Sequence, residues 1–265
     1  MVFEFKYRIE FTGVHIKDAA KAIARYFNAD VVSEKDIYKI TDNMDRQWTF
    51  GHSEYVRAEG CSEEEEFYYQ NVLETPMMYF PRDDDWFTIH DIFNVLRCIG
   101  GVTNDTCAMH IRTPFNFDHS MMGLMLSFYM MIQYDNFDVF DITSKSIRDR
   151  AKPYVLYNSG FGFDSYNELL DYIDSTYTDL YSPCYSAVEN FALNFLSYSV
   201  DGTIEFRAFN ASFDESYAAK ASAFVRGFII QCMKFYESGW SQAYDLIRSS
   251  VVYSGERPIG FLIKK

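Results

Sequence analysis

Glu205 and Arg207 stand two residues apart in the run Thr203-Ile204-Glu205-Phe206-Arg207-Ala208-Phe209-Asn210. The alternation predicts a β-strand with both on one face and Ile204, Phe206 and Ala208 on the other. A carboxylate beside a guanidinium suits a site that holds a metal ion and a phosphate together. The pattern recurs twice. Lys6-Tyr7-Arg8-Ile9-Glu10-Phe11 places Arg8 and Glu10 on one strand face, with Tyr7, Ile9 and Phe11 behind. Met109-His110-Ile111-Arg112 does the same with His110 and Arg112. Three such strands predict one concave polar surface. With Glu74 added, the metal-ligand candidates are Glu10, Glu74, His110 and Glu205, a set suited to Mg²⁺ or Mn²⁺. Arg8, Arg112 and Arg207 are the candidates for nucleotide phosphates or an acyl phosphate oxygen. A single Glu-x-Arg pair reads equally well as a cross-strand salt bridge, and it is the recurrence over three strands that favours a shared site.

Several other chemistries are excluded by their missing motifs. Neither the dinucleotide-binding nor the Walker glycine pattern is present, and there is no Gly-x-Ser-x-Gly elbow. Five cysteines are scattered, with no pair separated by two residues, which argues against zinc-ribbon and redox motifs and for free structural thiols. Cys107 and His110 lie three apart and would face opposite ways on a strand, so they are not read as a nucleophile pair. For His15, His52, His90 and His119 a surface or structural role is expected.

These candidates need a scaffold, and the composition supplies one. Of 265 residues 48% are hydrophobic, with 25 Phe and 21 Tyr, enough for a sizeable core and a single domain spanning 1–265. A net charge of −14 disfavours phosphate backbones and anionic lipid, so neither nucleic acid nor membrane is an expected partner. The N-terminus shows no secretory pattern, and the most apolar run, Met121 to Ile132, is too short to span a bilayer. A cytoplasmic protein is expected.

The order of elements follows from periodicity. Val2 to Thr12 alternates as a strand. Asp18 is placed to cap a helix carrying Ala19, Ala20, Ile23, Ala24 and Phe27 and ending near Asn28. Short strands are expected at Val31-Val32, Ile37 to Ile40 and Gln47 to Phe50, with a turn at Asp42-Asn43. Glu63 to Glu66 reads as a solvated stretch, and Phe67 to Met78 as a return to strand. Asp83-Asp84-Asp85 precedes a helix stopped by Gly100-Gly101, its acids favouring the helix dipole. Asp118 or Ser120 caps a Met-rich helix whose methionines fill a core. A capping box at Ser165 to Glu168, a helix from Tyr185 to Phe195, a turn at Asp201-Gly202, a long helix from Glu215 to Glu237 and a short one at Gln242 to Ser249 complete the reading. Tyr154, Tyr157, Tyr177 and Tyr181 fit either an aromatic binding face or packing beneath loops. Strands and helices mix without a βαβ rhythm, which favours an α+β fold with a mainly antiparallel sheet.

With these motifs placed, the chain resembles the amidoligases, a branch related to glutamine synthetase and glutamate–cysteine ligase. Arg8-Ile9-Glu10-Phe11-Thr12-Gly13 resembles the family's Glu-x-Glu-Phe-x-Gly opening, and Ile37 to Asp42 a strand leading into an Asp turn. Leu73-Glu74-Thr75-Pro76 resembles its Glu-x-x-Pro region, and Asn104 to Ile111 its Asn…Cys-Gly-x-His-Val-His stretch. Thr203-Ile204-Glu205-Phe206-Arg207 resembles its Thr-x-Glu-Phe-Arg motif. The resemblance implies a glutamine synthetase-like curved antiparallel sheet flanked by helices. It implies metal ligation by Glu10, Glu74, His110 and Glu205, and contact of Arg207 with the γ-phosphate or acyl phosphate. It also implies ATP and Mg²⁺ or Mn²⁺ as cofactors, and small-molecule or peptide carboxylates and amines as substrates. A homo-oligomer is among the states it allows.

Three departures stand out. Arg8 replaces the first Glu of the opening motif, Arg112 replaces the second His, and Ala108 replaces a glycine. An arginine among carboxylates can stand in for a divalent ion and leave a silent, salt-bridged pocket, or it can bind phosphate or a carboxylate directly. The first outcome would make the protein a binding or regulatory module on an amidoligase fold, the second an active ligase. A different phosphoryl transfer on the same scaffold is the third reading.

Overall fold

In the computed structural model of the protein, the described residues are 3–80, 83–116, 118, 121–129, 132, 140, 167–168, 171 and 191–238. They fall into two compact units, one holding residues 3–113 and 209–222, the other the described residues of 114–208 and 223–238.

Alternation in β1 (Phe3–Phe11) organises the first unit. Phe3, Phe5, Tyr7, Ile9 and Phe11 are buried at every second position. The strand pairs antiparallel with β5 (Asn71–Glu74) and β6 (Met78–Phe80) along one edge and with β7 (Met109–Pro114) along the other. β4 (Gln47–His52) pairs with β5, β3 (Ile37–Thr41) with β4, and β2 (Val31–Glu34) with β3, all antiparallel. The architecture is α+β with an antiparallel sheet, as composition and rhythm predicted.

The apolar face of the sheet is covered by helices. α1 (Ile16–Phe27) buries Ile16, Ala19, Ala20, Ile23, Ala24 and Phe27, the stripe expected of a 3.6-residue period. Phe27 packs on Trp48 with ring centroids 5.3 Å apart. Phe213 packs between Phe11 and Phe93, the latter on α2 (Asp83–Cys98). Each such buried side chain contributes about 1.5–3 kcal/mol. Tyr7 reaches through this core to Ser222, their hydroxyl oxygens 2.6 Å apart, and burial pushes its phenol up to about 12.

The cap of α1 differs from expectation. His15 is the N-cap, its Nδ1 accepting from the Lys17 backbone N–H, while Asp18 lies inside the first turn. An imidazole nitrogen serves as the acceptor that a shorter polar side chain usually supplies. The C-cap is Asn28 in the left-handed region, as expected. Gly13, between β1 and this helix, has φ +84°, and a Cβ there would lie 2.5 Å from the Gly100 carbonyl oxygen. Only glycine fits.

Two acidic stretches resolve differently from one another. Glu63–Tyr69 is an exposed 3-10 helix, so strand resumes only at Asn71, later than the expected Phe67. The imidazole of His52 stacks on Phe67, and that of His15 on Tyr68. The Asp triplet opens α2 and does more than favour its dipole. Asp85 is buried and accepts from Arg46 Nη1 at 2.6 Å and from the Tyr79 N–H at 2.8 Å. Arg46 also donates from Nε to Asp42 at 2.9 Å. Asp42 further accepts from the Met44 and Arg46 backbone N–H groups and from Trp48 Nε1. Burial works to raise the Asp42 carboxyl, but these donors and the Arg46 charge outweigh it and hold it below the usual range.

In the second unit, Asp118 caps the helix over 121–129 through its carboxylate and the Met121 N–H. Met121, Met122 and Met125 are buried core, as expected. β8 (Leu193–Asn194) pairs with β9 (Thr203–Phe206). Helix was expected up to Phe195, but Leu193–Asn194 is strand. Polar residues recur in that run at helical spacing (Ser186, Glu189, Asn190, Asn194), but pairing with β9 decides the conformation of Leu193–Asn194. A short helix α3 (Ser197–Asp201) ends at Gly202, and α4 (Glu215–Glu237) has the expected bounds. Phe128 and Phe206 both pack on Phe228. Expectations for residues 185–190, the capping-box serine, the tyrosines at 154, 157, 177 and 181, His119, Cys184 and the helix at 242–249 lie outside the described residues. No described helix is long and apolar enough to cross a membrane.

Candidate functional site on the polar face of the sheet

Residues directly opposite in an antiparallel pair project to the same side of the sheet. The register sets Arg8 opposite Glu74 on β5 and opposite His110 on β7, and sets Lys6 opposite Arg112. Lys6, Arg8, Glu10, Glu74, His110 and Arg112 therefore share the face of the sheet turned away from the apolar core. Glu10 and His110 are buried there, whereas the Lys6, Arg8 and Glu74 side chains are 29%, 21% and 30% exposed.

Glu10 is held from three directions. Its Oε1 accepts from Ser53 Oγ at 2.6 Å and from Arg8 Nη1 at 3.4 Å, and its Oε2 accepts from the Ala108 N–H at 2.9 Å. Glu74 Oε2 lies 2.9 Å from Lys6 Nζ, and its Oε1 3.8 Å from Arg8 Nε. Burial works to raise the Glu74 carboxyl, but the Lys6 hydrogen bond and the charges of Lys6, Arg112 and Arg8 hold it below the usual range. Glu74 is thus an anion at neutral pH with three cations about it.

A resident divalent ion would meet carboxylates already engaged by protein donors. Placing it on Glu10 and Glu74 would mean displacing Ser53, Lys6 or Arg8 contacts and adding positive charge beside Arg8. Among the described residues, no group of three or more His, Cys, Asp or Glu is arranged to hold a metal ion. In unit one as folded, the donor set suits an anion better than a cation.

Glu205 and Arg207 belong to the second unit. β9 ends at Phe206, so the strand is shorter than the expected run to Asn210, and all four of its residues are buried. The anticipated division into a polar and an apolar face gives way to burial on both sides. Arg207 follows the strand, donates its backbone N–H to the Ala192 carbonyl at 2.8 Å and brings Nε to 4.0 Å from Glu205 Oε2. Asn194 lies opposite Glu205 across the β8–β9 pair.

Two residues of the first-unit cluster were not singled out from sequence. Lys6 shares parity with Arg8 and Glu10, a signal present in the run itself. Ser53 gave none, because its contact with Glu10 depends on where the chain turns after β4. Of the remaining histidines, His15 caps α1 and His90 pairs with Glu215.

No curated protein matches the chain. A known family, described as "Putative amidoligase enzyme", matches residues 8–155, a span that includes Arg8, Glu10, Glu74, His110 and Arg112 and stops short of Glu205 and Arg207. That span is more than half of the 265 residues, and the chain belongs to this amidoligase family.

Proposed function

We propose that the protein is an ATP-dependent carboxylate–amine ligase on a glutamine synthetase-like sheet. The observation that carries this reading is the gathering of Lys6, Arg8, Arg112 and Glu74 on one sheet face inside the span that matches the family. A carboxylate oxygen of one substrate attacks the γ-phosphorus of ATP, the bond to the β-phosphate oxygen breaks, and ADP leaves an acyl phosphate. The amine of a second substrate attacks the acyl carbon, phosphate departs, and an amide with one proton released results. The cationic face lowers the repulsion between two anionic substrates and fixes their oxygens for in-line transfer. Mg²⁺ or Mn²⁺ arrives with the triphosphate as part of the substrate and offsets its charge. Glu205 and Arg207 keep the roles the resemblance gives them, a ligand to that ion and a contact to the transferring phosphoryl group. Small-molecule or peptide carboxylates and amines are the substrate classes.

Calorimetric titration with Mg²⁺–ATP tests this, comparing the wild type with Glu205→Ala and Arg207→Ala. Metal-dependent binding that weakens about tenfold or more in both variants is expected, followed by ADP release when a carboxylate and an amine are supplied together. No binding by a folded wild type ends the proposal.

A further inference from the structure

We infer that Arg8 does the work of a resident metal ion on this face: the protein binds a substrate phosphate or carboxylate directly through Arg8, with Lys6 and Arg112 beside it, and holds no divalent cation on Glu10 and Glu74. The inference refines the proposed function and rests on it only for the identity of the anion.

Three observations lead here. First, Arg8 sits at the centre of the face, with Glu74 and His110 in register on either side, and its guanidinium contacts both Glu10 and Glu74. Second, the carboxylates are already matched. Glu10 has a hydroxyl at 2.6 Å and a backbone N–H at 2.9 Å, and Glu74 has the Lys6 ammonium at 2.9 Å. Third, Arg8 itself is held loosely. Its contacts to Glu10 and Glu74 are 3.4 and 3.8 Å, long for charge-assisted hydrogen bonds, which run at about 2.7–2.9 Å. A planar fork with partial solvent exposure and long contacts to its acids is built to take a third anion in bidentate fashion. Anchored carboxylates then serve a positioning role: they orient the guanidinium instead of ligating a cation.

Binding of inorganic pyrophosphate and of glutarate, each measured by calorimetry in EDTA, tests this and separates a phosphoryl from a carboxylate ligand. One of the two is expected to bind wild type without divalent metal, to weaken about tenfold or more in Arg8→Gln and to be partly restored in Arg8→Lys. Circular dichroism and the urea midpoint establish that each variant is folded. In parallel, Mn²⁺ titration followed by electron paramagnetic resonance is expected to show no wild-type site that depends on Glu10. Arg8→Glu, which puts a third carboxylate between Glu10 and Glu74, is expected to create one. The inference is overturned if anion binding requires Mg²⁺, if Arg8→Gln leaves it unchanged, or if wild type binds Mn²⁺ at a site lost in Glu10→Gln. Anion binding in EDTA without any ADP release would remove the ligase reading and leave this one standing. Binding only with Mg²⁺ would do the reverse.

Discussion

Two arginines in the first unit each sit between two carboxylates, and they are built for opposite purposes. Arg46 reaches Asp42 at 2.9 Å and Asp85 at 2.6 Å, and both acids are 2% exposed. Apart from Arg46, the donors to these acids are backbone N–H groups and Trp48 Nε1, so the cluster is closed. Arg8 reaches Glu10 and Glu74 at 3.4 and 3.8 Å, and Glu74 is 30% exposed. The first cluster ties the turn after β3 to the start of α2. The second leaves its guanidinium underused at the centre of a sheet face. The two guanidinium side chains are similarly exposed, 17% and 21%; what separates a lock from a site is bond length and the exposure of Glu74.

The largest expected effect breaks the closed cluster. Arg46→Gln leaves Asp42 and Asp85 buried without their cation and should cost about 3–5 kcal/mol of stability, read from urea midpoints. Acid acts on the same cluster. Asp42 titrates below its unfolded value, so its contribution is fully present above the usual carboxylate range and is lost as pH falls through the folded value. Unfolding midpoints should drop steeply below about pH 4, and Asp42→Asn should flatten that dependence while lowering stability at neutral pH. Glu74, also held below the usual range, pushes in the same direction.

Smaller effects sharpen the open cluster. Ser53→Ala removes the shortest bond to buried Glu10 and should cost about 1–2 kcal/mol. It should also broaden any anion binding that depends on Arg8 orientation, seen as a weaker calorimetric enthalpy. Lys6→Met is expected to move stability by under about 1 kcal/mol. Its signature is a rise in the Glu74 carboxyl titration followed by carbon NMR, because Lys6 supplies the leading lowering influences there.

Legibility in the sequence tracked the range of the interactions involved. β1, α1 and the β2–β4 strands follow from side-chain alternation or a 3.6-residue stripe, and they form where those patterns place them. The parity of Arg8 with Glu10, and of His110 with Arg112, was readable for the same reason. What could not be read was register. That Glu74 faces Arg8, and that Lys6 rather than Arg8 makes its short bond, depends on which strands pair and at which residue. The Asp85–Arg46 pair bridges 39 positions and carries no local signal. At Leu193–Asn194 even the local pattern failed, since a helical spacing of polar residues gives way there to pairing with β9.

The contrast between the two arginines is best tested by a crossed comparison of Arg8→Gln and Arg46→Gln. Urea unfolding and calorimetry with pyrophosphate and with glutarate in EDTA would be run on both variants beside the wild type. Arg8→Gln is expected to keep its midpoint within about 1 kcal/mol and to lose affinity about tenfold or more for whichever anion, pyrophosphate or glutarate, binds the wild type, while Arg46→Gln loses stability and, where folded, binds like wild type. An Arg8→Gln protein that binds that anion as tightly as wild type would contradict the contrast.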